Sequence, residues 1–181
     1  PPPPPYSSAA SDVYKRQVDY TSIGVSADEF IKSLMDHQEK LHFALGRGRK
    51  RASIGVHDLA KLAPPFTVKA VSGDTKFTPL AATEPMSIKE IMAQHPKGIE
   101  YAHLLSEFDR YPIILDAENN VLSFPPIING DHTTVTKETK DFFIDVTGWD
   151  IRACESSLML IALQLQEYGL SLIHISEPTR P

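Results

Sequence analysis

The chain has 181 residues, with 18 Lys and Arg against 23 Asp and Glu, a formal net charge of −5, and 41% hydrophobic residues. That acidity excludes nucleic-acid binding driven by bulk charge, although positive charge can still be concentrated locally. One cysteine, Cys154, excludes an internal disulfide framework and a cysteine-based zinc site and suits a reducing compartment, while no apolar run reaches membrane-spanning length and no signal peptide is visible, though a cut start would hide one.

The two ends read as foreign to the rest. Residues 7–17 are SSAASDVYKRQ and residues 170–181 are LSLIHISEPTRP. Back-translated, DVYKRQ has a reverse complement with a frame that reads LSLIHI, so the two peptides are opposite strands of one short DNA. They resemble translated transposon-type sequencing adapters, and the PPPPPY run at 1–6 looks like the same debris. Residues 1–17 and 170–181 are therefore expected to be non-native tails without tertiary packing, and His174 and Glu177 are not recruited as ligands or bases. Residues 18–169 remain, the length of about one domain, expected to be cut short at both ends.

Within that span Ser26 precedes Phe30, Leu34 and His37 at helical spacing, with Asp28 and Glu29 in the first turn. This predicts an N-capped helix running to about Leu45 and stopping before Gly46. The turn that follows carries Arg47, Arg49, Lys50 and Arg51, either a solvated turn or an anchor for phosphates. A strand is expected at 52–56, followed by His57 and Asp58; neighbours on a strand point to opposite faces, so these two are no dyad, and one of them fixes the next turn. Ser87 and Glu90 have capping-box spacing for a short helix at 87–94, and 100–109 is a third helix candidate. Residues 113–115 and 121–124 read as strands joined by a DAENN hairpin turn, 142–146 as another strand, and a last apolar-faced helix starts at about Asp150. Helices mixed with short antiparallel strands predict an α+β domain, a mixed or antiparallel sheet with packed helices.

The segment 121–150, VLSFPPIINGDHTTVTKETKDFFIDVTGWD, holds the densest set of polar groups at strand ends. Pro125 and Pro126 remove two backbone donors and Gly130 permits a turn, so Ser123, Asn129, Asp145 and Thr147 are held on what reads either as a pocket rim or as an ordinary polar loop. Asp145 and Thr147 share a strand face. A buried Asp145 needs a partner, and it serves either as cap for the last helix or as acceptor for a ligand hydroxyl. His132 is the histidine most worth testing. Nothing beside Ser123 forms a nucleophile relay, and the histidines show no metal-ligand spacing.

The blocks QEKLHFALGRGRKRASIGVHDLAKLAPPFTVKAV, FTPL, HPKGIEYAHLL, YPIILD and VLSFPPIINGDHTTVTKETKDFFIDVTGWD resemble the beta subunit of phenylalanyl-tRNA synthetase, archaeal/eukaryotic type. The resemblance covers nearly all of 38–169 and falls on the region called B3/B4, an α+β editing module in that family. It implies a cytoplasmic (αβ)2 heterotetramer with the alpha subunit, working on tRNA(Phe) with ATP and magnesium. The aminoacylation centre would lie in the alpha subunit, and this fragment would hold no cofactor and touch no membrane. The implied task is hydrolysis of tyrosine wrongly attached to the phenylalanine tRNA. Ser123 and Asn129 would line the editing pocket, Asp145 would face the tyrosine hydroxyl, and Thr147 would help hold the aminoacyl end. Arg47, Arg49, Lys50 and Arg51 would contact tRNA. In the family many relatives carry Arg or Lys where this chain has Thr134, so a contact to the substrate or its terminal adenosine would be missing or supplied by Lys137, and Trp149 departs from the family's TGTD, packing over the start of the last helix or narrowing the pocket mouth. The competing expectation is a tRNA-docking or subunit-assembly module without editing.

Overall fold

The computed structural model describes residues 7–14, 24–170 and 172–176. In chain order the elements are β1 (Ser7–Tyr14), α1 (Ala27–Ala44), β2 (Ala52–Asp58), β3 (Thr67–Val71), β4 (Lys76–Phe77), β5 (Met86–Ser87), α2 (Ile88–Gln94), α3 (Pro96–Tyr101), β6 (Tyr111–Leu115), β7 (Val121–Phe124), β8 (Ile128–Asn129), β9 (Phe142–Gly148), α4 (Ile151–Glu167) and β10 (Leu172–Ser176). All strand pairs among them are antiparallel. The fold is α+β, as the mixture of helix and strand patterns predicts. Two compact units lie within the span the sequence reads as one domain, one inside Lys61–Thr134 and the other inside Ser7–Ala60 and Val135–Pro181.

In the first unit the sheet order is β3-β6-β7-β8, with β4 and β5 forming a separate ladder. The hairpin between β6 and β7 is built as its composition predicts. Asp116 Oδ1 accepts the backbone N–H groups of Glu118 at 3.0 Å and Asn120 at 2.8 Å, and Asn119 takes the left-handed conformation (φ 65°) that asparagine tolerates. Burial pushes the Asp116 carboxyl up, but these bonds together hold it below the ordinary aspartate range. Ser87 and Glu90 form the expected capping box of α2. The helix expected at 100–109 lies earlier: α3 begins at Pro96, whose fixed φ and missing N–H suit the first helical position, and the chain tightens into a 3-10 turn at Ala102–Leu104. Ile88, Ile91, Leu105, Ile113, Phe124 and Ile127 make the core of this unit.

In the second unit the sheet order is β10-β1-β9-β2. Ser26 and Glu29 cap α1 reciprocally, so the first predicted helix stands where it was expected. β9 and β2 pair along their whole length, with Ala52 opposite Gly148 and Asp58 opposite Phe142. Because side chains alternate, Ala52, Ile54, Val56, Phe142, Ile144 and Val146 all fall on one face, where they join Phe30 and Leu34 of α1 and Leu158, Ile161 and Leu165 of α4 in one core. Gln38 Nε2 ties α1 to the Ile54 carbonyl at 2.7 Å, and His42 Nε2 accepts the Ile54 N–H at 2.8 Å. Burial keeps the His42 imidazole below its ordinary pKa, which suits a nitrogen acting as acceptor.

The tails differ from expectation. Ser7–Tyr14 pairs along β9, and Leu172–Ser176 pairs along β1. The edge of β9 away from β2 offers a row of backbone donors and acceptors that any extended segment can satisfy. Backbone pairing is indifferent to the coding origin of the paired strand. The rest of the tails and the start of the expected domain, 1–6, 15–23, 171 and 177–181, lie outside the described residues. Among the described residues no helix is long and apolar enough to cross a membrane.

Candidate functional site

The face of the β2–β9 pair that turns away from α1 and α4 is composed differently from the core face. It carries Ser53, Gly55 and His57 opposite Thr147, Asp145 and Phe143. These side chains are nonetheless buried: His57 is 0% exposed, Asp145 5% and Thr147 4%. His57 Nε2 lies 2.6 Å from Asp145 Oδ1. A carboxylate only accepts, so the ring nitrogen donates. The contact is diagonal, because Asp145 is opposite Gly55 and reaches across it to His57. A Cβ on residue 55 would collide with Asp145 Oδ1, which makes glycine at this strand position a condition for the pair. The Phe143 ring stands beside the imidazole at 5.9 Å between centroids.

Two groups on this face keep hydrogen-bonding capacity. Among the described residues Asp145 Oδ2 accepts no hydrogen bond, and Thr147 Oγ1 is buried without a partner. A buried hydroxyl left unmet, as at Thr147, costs on the order of 1–3 kcal/mol and calls for a reason. The helix-cap role left open for Asp145 belongs to Asp150, whose Oδ1 accepts the Ala153 N–H at 3.0 Å. Of the neighbouring pair at the end of β2, Asp58 fixes the turn, its Oδ1 accepting from the Ala60 N–H at 3.1 Å and its Oδ2 from the Thr139 hydroxyl at 2.9 Å. The dyad the sequence missed joins His57 to a residue 88 positions away. Gly55 in a strand interior was its only local signal.

The basic turn is only half as exposed as expected. Arg47 and Lys50 are exposed, but the Arg49 side chain is 9% exposed and ion-paired to Glu39 at 2.8 Å. Arg51 Nε donates to Asp150 Oδ2 at 2.9 Å, and its Nη2 bonds the same oxygen. This guanidinium, followed by the Ala153 N–H, holds the Asp150 carboxyl below the ordinary range. Arg47 and Arg49 both adopt positive φ (48° and 64°), so the turn's shape is bought with backbone strain. Cys154 is buried on α4; desolvation, then the charges of Asp150 and Glu155, push its thiol up to about 12, which excludes it as a nucleophile at neutral pH.

In the first unit Ser123 Oγ donates to Asn129 Oδ1 at 3.2 Å across the β7–β8 ladder, joining two of the expected site residues. Asp145 and Thr147 belong to the second unit. A cavity of about 700 Å³ in the first unit is lined by Lys76, Phe77, Thr78, Asn120, Asp131 and His132, among others. Thr134 has its hydroxyl on the Asp131 carbonyl at 2.5 Å and its own carbonyl bonded by Lys61 Nζ at 2.7 Å. Lys137 is exposed. Trp149 is 41% exposed beside the start of α4, with its N–H on the Arg51 carbonyl at 3.1 Å. Among the described residues no three His, Cys, Asp or Glu side chains come together as a metal-ligand set.

A family profile described as the B3/4 domain matches residues 23–164. The chain is 56% identical over 139 residues to the phenylalanine–tRNA ligase beta subunit of Methanosarcina acetivorans, covering 77% of this chain and 25% of that protein. It is 50% identical over 156 residues to the corresponding subunit of Methanocaldococcus jannaschii, covering 85% and 28%. The chain thus spans about a quarter of the length of these curated relatives. An N-terminal fragment of the phenylalanyl-tRNA synthetase beta subunit from Pyrococcus horikoshii superposes with a TM-score of 0.80 at 37% identity, over 91% of this chain and 45% of that one.

Proposed function

The chain belongs to the B3/4 domain family, in the setting that domain has in archaeal phenylalanine–tRNA ligase beta subunits, and from that premise we propose that it performs post-transfer editing. The substrate is tyrosine esterified to the phenylalanine tRNA. Water adds to the ester carbonyl, the bond to the ribose oxygen breaks, and free tyrosine and tRNA leave. A pocket that must accept phenylalanine excludes tyrosine only by crowding its hydroxyl, so a second, hydroxyl-reading site adds discrimination that the first lacks.

The observation that carries this reading is the spare hydrogen-bonding capacity on one strand face, where Thr147 Oγ1 is buried without a partner and Asp145 gives only Oδ1 to His57. Asp145 accepts the phenolic hydrogen bond; phenylalanine offers nothing in return for desolvating the carboxylate. Thr147 holds the aminoacyl end. The attacking water is oriented by the site and by the tRNA's terminal ribose, without an enzyme nucleophile, consistent with the inert Cys154. Exposed Arg47, Lys50 and Lys137 are the candidates for tRNA phosphates; Arg49, Arg51 and Thr134 serve through the internal bonds they already make.

The module is residues 18–169, with 1–17 and 170–181 as flanking sequence of adapter coding. It works in the cytoplasm, in a beta subunit assembled with alpha subunits as (αβ)2. ATP and magnesium serve the aminoacylation step in the alpha subunit, and no residue of this chain is assigned to them. The test is a deacylation assay on Tyr-tRNA(Phe) with the full-length beta subunit and its alpha partner. Asp145→Ala should lower hydrolysis about ten- to a hundredfold, the scale of about 1.5–3 kcal/mol for a hydrogen bond to a charged group, while phenylalanine activation stays near the parental level. A folded variant that clears Tyr-tRNA at the parental rate would sink the editing role of Asp145 and favour a docking or assembly module.

A further inference from the structure

Asp145 can read a hydroxyl only if its carboxylate is held in one orientation. An aspartate with both oxygens free to rotate offers its acceptor in many directions, and the selectivity of a single hydrogen bond is lost with the ordering entropy. On β9 the carboxylate is not free. Oδ1 is engaged by His57 Nε2 at 2.6 Å, inside a surround where the histidine is fully buried and the aspartate 5% exposed. Gly55 leaves the space through which the carboxylate reaches the imidazole, and Phe143 flanks the ring. The neighbouring carboxylate at position 150, with a different partner, does a construction task, so the pairing at 145 is a separate provision.

We propose that His57 is the positioning residue for tyrosine discrimination: its Nε2–H fixes the plane of the Asp145 carboxylate through Oδ1 and so presents Oδ2 as the acceptor for the phenolic hydroxyl. This rests on the editing reading and adds a residue and a division of labour to it. One oxygen is spent on orientation and the other is kept for the substrate. His57 touches neither the ester nor the water; it acts through Asp145.

Two polar replacements separate positioning from bulk. The side-chain amide in His57→Gln reaches as far as the ring's Nε2 and can donate to Oδ1. The amide in His57→Asn is one methylene shorter and cannot. With the full-length beta subunit and its alpha partner, Tyr-tRNA(Phe) and Phe-tRNA(Phe) hydrolysis are measured side by side. His57→Asn should lose about tenfold on the tyrosyl ester with little change on the phenylalanyl ester, collapsing the ratio, and His57→Gln should recover the parental ratio to within about threefold. A folded His57→Asn with the parental ratio overturns the inference, as does an equal loss in both variants, since a merely structural histidine would not be rescued by an amide donor. If His57→Asn does not fold, His57→Gln decides alone: the parental ratio supports the inference and a tenfold loss in the folded variant overturns it. A parental enzyme that leaves Tyr-tRNA intact removes the editing reading, and the inference with it. Parental hydrolysis with unaltered His57→Asn removes the inference only.

Discussion

Asp145 and Asp150 stand five residues apart in one strand-to-helix segment, and the two regions use the same carboxylate in opposite ways. At the start of α4, Asp150 spends both oxygens on construction: Oδ1 caps the helix and Oδ2 takes the Arg51 guanidinium. It is partly exposed, and water can replace any bond it loses. On β9, Asp145 is buried, spends one oxygen on His57, and keeps the other without a partner among the described residues. The first aspartate is wholly committed to the fold; the second keeps Oδ2 for the role proposed above.

Gly55→Ala attacks this contrast hardest. The new Cβ would run into Asp145 Oδ1, so either β2 shifts or the carboxylate leaves His57. The expected cost is about 1–3 kcal/mol in denaturant unfolding, the usual range for overpacking, together with a loss of Tyr-tRNA hydrolysis. An unchanged midpoint with editing intact would mean that the carboxylate has room to move and that its orientation is not built in.

Asp150→Asn should act less, and only on stability. The folded-state pKa of Asp150 is depressed, by Arg51 first and the Ala153 N–H second. Its contribution is therefore fully present above the ordinary carboxylate pKa and is lost as pH falls through the depressed value. The parent should be the more stable at pH 7, and the gap to the Asn variant should close in the acid limb of a pH series. A gap that persists undiminished at acid pH would assign the effect to something other than this charge. Tyr-tRNA hydrolysis should be unchanged at pH 7 in the folded variant.

The smallest effect on stability, within about 0.5 kcal/mol, is expected for the double change Arg47→Ala and Lys50→Ala, because both side chains are exposed. Its consequence should appear in tRNA binding by the assembled subunit, as weaker affinity at low salt and a flatter dependence on salt concentration. Identical binding curves at every salt concentration would return the turn to the solvent.

Local features were legible. The Ser26–Glu29 and Ser87–Glu90 boxes, the Asp116 hairpin and the start of α4 all rest on contacts between residues within about four positions, so spacing alone identifies them. The helix at 100–109 was displaced because a proline that can end one helix can also begin the next, as Pro96 does. β3, β4, β5 and β8 were not read: the last three are two-residue ladders, too short for alternation, and β3 is a mostly exposed strand with no fully buried position. The shared face of Asp145 and Thr147 was legible from their spacing, but the partner of Asp145 was not.

What the sequence determined by itself was the α+β mixture, the capped helices, the family resemblance and the alternation of β9 that puts three core residues on one side and Asp145 and Thr147 on the other. What only the tertiary structure decided was which groups those side chains meet. The register of β2 against β9 brings His57 to Asp145 across 88 residues, and the approach of the basic turn to α4 brings Arg51 to Asp150 across 99. Helix caps and turns are closed by backbone groups a few residues away, so their chemistry is written locally. Cross-strand partners are chosen by register, and a shift of one residue would turn His57 to the opposite face, a choice that no spacing within either strand records.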